Sequence, residues 1–115
     1  MNHHQYVDTL SKDAREEAYV QVTQAIRNVP DFPAPGILFR DITPVLRDPQ
    51  AFRAATELHL DAISGKRDAI DVIVGIESRG FLFGTVLAQA LGVGFVPIRK
   101  AGKLPAETIE QRYAL

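Results

Sequence analysis

Two short polar segments follow predicted strands, and their residue types suit an anionic ligand. Glu77-Ser78-Arg79-Gly80 follows one apolar β-branched run, and Arg99-Lys100 with Lys103 follows the next. In open parallel sheets, ligands bind beyond the carboxyl ends of the strands. Backbone N–H groups at a helix start and the planar fork of an arginine both bind phosphate well. Either segment alone is more typical of a solvated turn, but the two together predict a polyphosphate site.

A proline-rich segment carries a different kind of side chain, an aromatic ring beside a cation. Its four prolines between residues 30 and 44 exclude a regular helix, yet it is too apolar for a free linker. Phe39 offers a face on which a planar base can stack, with Leu38 and Arg40 beside it. On residue content alone, an apolar lid over the core fits equally well. Together with the anion site, however, the ring predicts a nucleotide or its precursors as ligand.

Two predicted helices precede the anion-binding segments. Apolar residues at spacings of three and four predict a helix over 11–28, which Pro30 ends. A second helix is predicted over 49–64, with Asp48 as its N-cap. Gly65 then supplies a left-handed residue at its C-terminus.

A strand–helix–strand unit is predicted to position the anion-binding segments. Apolar runs at 69–76 and 93–98 predict strands buried on both faces, as in a parallel sheet. Between them, residues 81–91 are apolar almost all round, which predicts a buried helix that Gly92 closes. Such units nearly always have parallel strands, so the two segments should lie at neighbouring strand ends.

Composition narrows the possible classes of protein. The 115 residues suffice for one domain at most, and 46% apolar residues support a hydrophobic core. Thirteen Lys and Arg against fourteen Asp and Glu disfavour a nucleic-acid module. With no cysteine, disulfides, thiolate metal sites and thiolate nucleophiles are excluded. No apolar run reaches the ~20 residues of a membrane span, and no secretory signal is present, so a cytoplasmic protein without membrane partners is expected.

Three long segments, in order along the chain, resemble the adenine phosphoribosyltransferase family. The segment from Asp31 to Pro44 resembles its base-binding loop. Residues Gly75 to Gly84 resemble its first pyrophosphate loop, and residues Pro97 to Pro105 resemble its basic loop. The dinucleotide motif G-x-G-x-x-G and the P-loop motif are both absent, which disfavours those two ways of binding nucleotides.

The resemblance implies an α/β fold of the type I phosphoribosyltransferase kind, a parallel sheet with flanking helices that is incomplete at the C-terminus. Residues 1–30 would form an N-terminal helix region of this single domain, and 31–48 its base-binding loop. Residues 49–98 would form a helix and the βαβ core. Residues 99–115 would hold the basic loop and the start of a flexible catalytic loop.

The resemblance also implies a reaction, transfer of the 5-phosphoribosyl group from 5-phosphoribosyl-1-pyrophosphate to adenine, giving AMP and pyrophosphate in purine salvage. It implies Mg²⁺ as cofactor and a homodimer, and a peptide after Glu77 that is often cis in the family. Adenine would be bound by Leu38, Phe39 and Arg40. Pyrophosphate would be bound by Glu77, Ser78, Arg79, Gly80, Arg99, Lys100 and Lys103.

Two features of the family are not found in this sequence. The signature for 5-phosphoribosyl-1-pyrophosphate, two acidic residues followed by a Thr-Gly-Gly-Thr type loop, is absent. The expected catalytic acid lies beyond Leu115, so no catalytic residue and no metal ligand are assigned here. We therefore expect the 115-residue chain alone to be inactive. Two alternatives stay open. One is a xanthine or hypoxanthine phosphoribosyltransferase, and the other is a truncated non-catalytic protein that binds purines or nucleotides.

Overall fold

The computed structural model describes residues 6–112, and its contacts divide the chain into two compact units, Met1–Ala69 and Ile70–Leu115. The first unit contains α1 Lys12–Ala25, β1 Arg27–Val29, β2 Phe39–Asp41, α2 Thr43–Arg47, α3 Pro49–Ala62 and a 3₁₀ helix Ser64–Ala69. The second contains β3 Val72–Ile76, α4 Arg79–Leu91 and β4 Gly94–Ile98. In the part of the chain that the structure describes, no helix has the length and apolar character of a membrane span.

Helix α1 begins after Ser11, whose hydroxyl accepts a hydrogen bond from the Ala14 N–H at 3.1 Å. The predicted helix over 11–28 is confirmed but ends early, because residues 27–29 pair with β2 instead. An ion pair joins α1 to α3, with Arg15 Nε 2.6 Å from Asp61 Oδ2. The hydrogen bond from Arg15 lowers the pKa of the Asp61 carboxyl.

Helix α3 supplies most of the first unit's core. Asp48 caps it by accepting the Gln50 N–H at 3.0 Å, as the sequence predicts. Small and apolar side chains form the buried face, so that the helices approach closely. The buried residues of this unit are Ala18, Val45, Ala51, Ala54, Ala55, Thr56 and Leu60. The left-handed role predicted for Gly65 is wrong, because the chain turns at Ile63 with φ −112° straight into the 3₁₀ helix.

The proline-rich segment is more regular than its composition predicts. Strand β2 pairs antiparallel with β1, placing Arg27 opposite Asp41 and Val29 opposite Phe39. The short helix α2 follows at once and tolerates Pro44 because the proline lies in its first turn. The sequence analysis missed both strands of this hairpin and α2, since three-residue strands carry no readable alternation.

The strand–helix–strand unit is confirmed, with β3 and β4 parallel and Ile76 opposite Ile98. Helix α4 ends at Gly92, as predicted, and the φ of 71° there is a left-handed conformation. Gly75 and Gly84 face the Phe95 ring, and a Cβ at either would lie within 2.7 Å of a ring carbon. Glycine at these positions is what lets α4 pack onto the sheet.

The prediction that both strands are buried on both faces is wrong for this chain. The side chains on one face are between 41% and 58% exposed, namely Val72, Val74, Ile76, Val96 and Ile98. Helix α4 is not buried all round either, since Leu82 is 41% exposed. The reason is that α4 is the one helix in the described part of this unit, and it covers a single face. Beyond β4, residues 99–112 contain no helix or strand, and the rest of the predicted catalytic-loop segment, 113–115, lies outside the described residues.

Candidate functional site

The loop between β1 and β2 is held in shape by its own hydrogen bonds. The Phe32 N–H donates to the Ile37 carbonyl at 3.0 Å, and the Gly36 N–H donates to Asp31 Oδ1 at 2.8 Å. Gly36 has a φ of 84°, which the absence of a Cβ permits, and the Phe32-Pro33 peptide is cis. The loop therefore presents three apolar side chains to solvent in one geometry. These are Phe32, Ile37 and Leu38, about half exposed at 47–50%.

Phe39 and Arg40, two of the residues predicted to bind a base, lie on opposite faces of the hairpin. They are consecutive in β2, and side chains alternate along a strand. The Phe39 ring packs edge-on to Phe32, with centroids 5.2 Å apart. On the other face, Arg40 Nη1 donates to Oδ1 of Asn28, its cross-strand partner, at 2.8 Å. A base stacked on the Phe39 ring would thus lie on the face opposite the Arg40 guanidinium.

An ion-pair network joins the two strands at the end of the hairpin away from its loop. The sequence analysis missed this network. Asp41 Oδ2 accepts from Arg27 Nε at 3.1 Å, and Oδ1 accepts from the Thr43 N–H at 2.9 Å and its hydroxyl at 2.8 Å. The hydrogen bonds from Arg27 and then Thr43 lower the pKa of Asp41 to about 2. The signal was the Asp-x-Thr-Pro sequence, in which an aspartate side chain binds the backbone two residues on.

In the second unit, the carboxyl ends of the two parallel strands are tied together. The Glu77 N–H, directly after β3, donates to the Ile98 carbonyl at the end of β4 at 3.0 Å. The Glu77-Ser78 peptide is cis, as the resemblance implies. Gly80 lies in the first turn of α4, and a Cβ there would be 3.1 Å from the Gly75 backbone. The first turn of α4 therefore lies against β3, with Arg79 as the first residue of the helix.

Glu77 joins two of the predicted cations. Its Oε2 lies 3.2 Å from Arg99 Nη2 and 3.4 Å from Lys103 Nζ. Arg99 Nη1 also donates to the Lys103 carbonyl at 3.4 Å, which closes the loop between them. The hydrogen bond from Arg99 is the main reason that the pKa of Glu77 is lowered. We call Glu77, Arg99 and Lys103 the strand-end cluster.

The remaining predicted residues of the anion site border this cluster in the chain. Ser78 precedes α4 and makes no side-chain cap hydrogen bond, so it does not occupy the N–H groups of the first turn. Arg79 and Lys100 are both exposed. Within residues 6–112, no group of three or more His, Asp or Glu side chains is close enough to hold a metal ion.

Comparison with known proteins links these features to one family model. Residues 42–114 match the model of the phosphoribosyl transferase domain, a stretch that begins just after β2 and includes the strand-end cluster. An adenine phosphoribosyltransferase of Synechococcus is 62% identical over 90 residues, 78% of this chain and 51% of the relative. The chain thus spans about half the length of the curated relatives it matches.

Two solved structures are similar to this chain. The adenine phosphoribosyltransferase of Thermoanaerobacter pseudethanolicus is 52% identical, with a TM-score of 0.77 over 83% of this chain and 55% of that one. The enzyme of Saccharomyces cerevisiae is 44% identical, with a TM-score of 0.72 over 84% of this chain and 56% of that one. It was solved with an imino-altritol bisphosphate and adenine. These likenesses confirm the resemblance and the α/β fold class that the sequence motifs predict.

Proposed function

The chain belongs to the phosphoribosyl transferase domain family, and on that premise we propose that the protein carrying it is an adenine phosphoribosyltransferase. The reaction is transfer of the 5-phosphoribosyl group from 5-phosphoribosyl-1-pyrophosphate to adenine, which yields AMP and pyrophosphate. The enzyme is a pentosyl-transferring glycosyltransferase of purine salvage. Similarity to adenine phosphoribosyltransferases at 62% and 52% identity supports the choice of this reaction.

The observation that carries the proposal is the convergence of Arg99 and Lys103 at the carboxyl ends of β3 and β4. A helix begins beside those ends with Arg79 in its first turn. Cations and a helix N-terminus together favour a ligand with several negative charges. Pyrophosphate is such a ligand, and we assign to it Ser78, Arg79, Gly80, Arg99, Lys100 and Lys103. Glu77, which the resemblance also names, contacts two of these cations.

Adenine is assigned to the hairpin of the first unit. Phe39 stacks on the purine, and Leu38 and the Arg40 backbone complete the pocket. The guanidinium of Arg40 is engaged with Asn28 on the opposite face, so its part is to hold the two strands in register. A similar enzyme from yeast was solved with adenine, which supports a purine as the acceptor.

These residue types suit the chemistry of the proposed transfer. As the bond from the sugar to pyrophosphate breaks, the anomeric carbon becomes oxocarbenium-like and the leaving oxygens gather negative charge. Arg79, Arg99 and Lys103 stabilise that developing charge, which is where fixed cations lower a barrier most. Phe39 holds the base for attack from the opposite face, so that positioning contributes as much as proton transfer. Mg²⁺, when bound with the substrate's phosphates, supplies further charge neutralisation.

Location and assembly follow as parts of the same proposal. We place the enzyme in the cytoplasm, as a homodimer without nucleic-acid or membrane partners. The exposed apolar face of β3 and β4 is compatible with further protein covering it.

The proposal is tested by product analysis on the complete protein that carries this chain. Adenine, hypoxanthine and xanthine are each supplied with 5-phosphoribosyl-1-pyrophosphate and Mg²⁺, and the nucleotides are separated by chromatography. We expect AMP and pyrophosphate in equal amounts from adenine and at least tenfold slower turnover of the other bases. Faster turnover of hypoxanthine or xanthine would show that this base, and not adenine, is the preferred substrate. Adenine binding without any turnover would favour a non-catalytic purine-binding protein.

A further inference from the structure

Glu77 is the acidic member of an otherwise cationic cluster. Both Arg99 and Lys103 contact the same carboxylate oxygen, Oε2, at 3.2 and 3.4 Å. The other oxygen, Oε1, is buried and has no hydrogen-bond partner among the described residues. A buried acceptor without a partner costs stability, which offsets part of what the two ion pairs contribute.

The two ion pairs are of a kind that a ligand can exchange. The side chains of Arg99, Lys103 and Glu77 are 33%, 46% and 24% exposed, so water and salt screen their attraction. Arg99 has five N–H donors and directs one guanidinium nitrogen at Glu77 and the other at the Lys103 carbonyl. An arriving anion therefore meets cations that are already held in place but already partly neutralised.

We propose that Glu77 is a positioning residue that acts as a built-in counter-ion, competing with bound pyrophosphate for Arg99 and Lys103 and so limiting its affinity. This inference rests on the proposed function, because pyrophosphate is the ligand it concerns. A carboxylate cannot donate a hydrogen bond to phosphate, and its charge repels a diphosphate that shares its cations. Because Glu77 holds the two cations, they stay pre-organised for the ligand. Because Glu77 also opposes the bound anion, the pyrophosphate product can leave.

The matched variants separate charge from shape. Glu77→Gln keeps the size and one oxygen acceptor and removes the charge. Glu77→Asp keeps the charge at a slightly shorter reach. Asp71→Asn removes one negative charge at the opposite end of β3, from an exposed residue of the same unit. Circular dichroism and thermal melting identify any variant that fails to fold.

The experiment is calorimetric titration of the complete protein that carries this chain, and of its variants, with sodium pyrophosphate at two salt concentrations. For Glu77→Gln we expect a dissociation constant about three- to tenfold lower than that of the wild-type protein, since one weak, screened ion-pair competitor is removed. Its affinity should also depend more steeply on salt. Glu77→Asp and Asp71→Asn should both stay within about twofold of the wild-type protein.

Three other outcomes would overturn the inference, and they differ in what they mean for the proposed function. If the wild-type protein binds pyrophosphate and Glu77→Gln binds it equally or more weakly, the counter-ion role is wrong and the proposed function stands. If neither binds pyrophosphate although both are folded, the anion site of the proposed function fails, and the counter-ion role fails with it. If Glu77→Asp tightens binding as much as Glu77→Gln, shape rather than charge is responsible, which also overturns the inference.

Discussion

The hairpin of the first unit and the strand-end cluster of the second use charge in opposite ways. In the hairpin, Asp41 and Arg27 neutralise each other, and Thr43, two residues after Asp41, supplies its other donors. In the cluster, the single carboxylate of Glu77 faces two cations at once. One region is therefore built to hold a shape and the other to hold a surplus of positive charge. A neutral planar base suits the first, and a diphosphate suits the second.

The two regions also differ in how their backbone is fixed. The hairpin loop is closed by hydrogen bonds between residues no more than five positions apart, such as Gly36 to Asp31. The cluster depends on β3, α4 and β4 packing correctly, because Glu77 and Lys103 are 26 residues apart in sequence. Loss of packing in the second unit should therefore abolish its site, whereas the hairpin tolerates local changes better.

The largest effect is expected from breaking the packing under the cluster, with Gly75→Ala. A Cβ at Gly75 would lie 2.6 Å from the Gly80 carbonyl oxygen and 2.7 Å from the Phe95 ring. The carbonyl belongs to the first turn of α4 and cannot move without moving the helix. We expect a loss of about 3 kcal/mol in the free energy of unfolding, measured by urea denaturation. Gly94→Ala is the control, since no atom lies within 4 Å of its Cβ position, and equal losses would refute the packing argument.

The next largest effect is expected from Arg79→Ala in the complete protein, because this substitution removes one of the positive charges of the second region. If Arg79 stabilises the leaving group as proposed, removing it should lower kcat about a hundredfold, in the range of other lost transition-state donors. The KM for adenine should stay within about twofold, because Arg79 belongs to the other region. Arg79→Lys should recover part of kcat, since it restores charge without the planar fork. A rise in the adenine KM at unchanged kcat would show that Arg79 serves the base instead.

A smaller effect is expected in the hairpin from Phe39→Ala. Stacking on an aromatic ring contributes ~1–3 kcal/mol per base in nucleic-acid complexes, so the adenine KM should rise about tenfold. The KM for 5-phosphoribosyl-1-pyrophosphate should change little. Phe39→Tyr keeps a ring and should restore the adenine KM. If Phe39→Ala leaves that KM unchanged in steady-state assays, stacking is not its role.

The smallest effect is a pH-dependent contribution to stability from Asp41. Its pKa is lowered from 3.8 to about 2 by Arg27 and Thr43, so the ionised carboxylate stabilises the folded state. That contribution is complete above pH 3.8 and is lost as the pH falls through about 2. Asp41→Asn should therefore be less stable than the wild-type chain near neutral pH, with the difference vanishing toward pH 2.

Urea denaturation over a pH series measures this difference. Asp68→Asn is the control, because Asp68 is exposed and its side chain makes no ion pair or hydrogen bond among the described residues. The same pH dependence in both variants would mean that the Asp41 network contributes nothing specific.

The sequence predicted those elements that carry strong local signals. The cap at Asp48 and the end of α4 at Gly92 are each local chemistry, and each is found as expected. The parallel pairing of β3 with β4 followed from two apolar runs around a helix. The hairpin was not predicted, because its strands have only three residues each. Their pairing is supported by the contact between Arg27 and Asp41, which are fourteen residues apart in sequence.

The amino-acid sequence shows which residue types are present: an aromatic ring at Phe39, cations at Arg99 and Lys103, and glycines where backbones must touch. The contacts that these side chains make come from the folded structure. It placed Phe39 and Arg40 on opposite faces, because strand residues alternate, and it turned Glu77 toward the cations, because β3 and β4 end side by side. Local propensities act over a few residues, whereas the partners of a charge are chosen by strands that meet from distant parts of the chain.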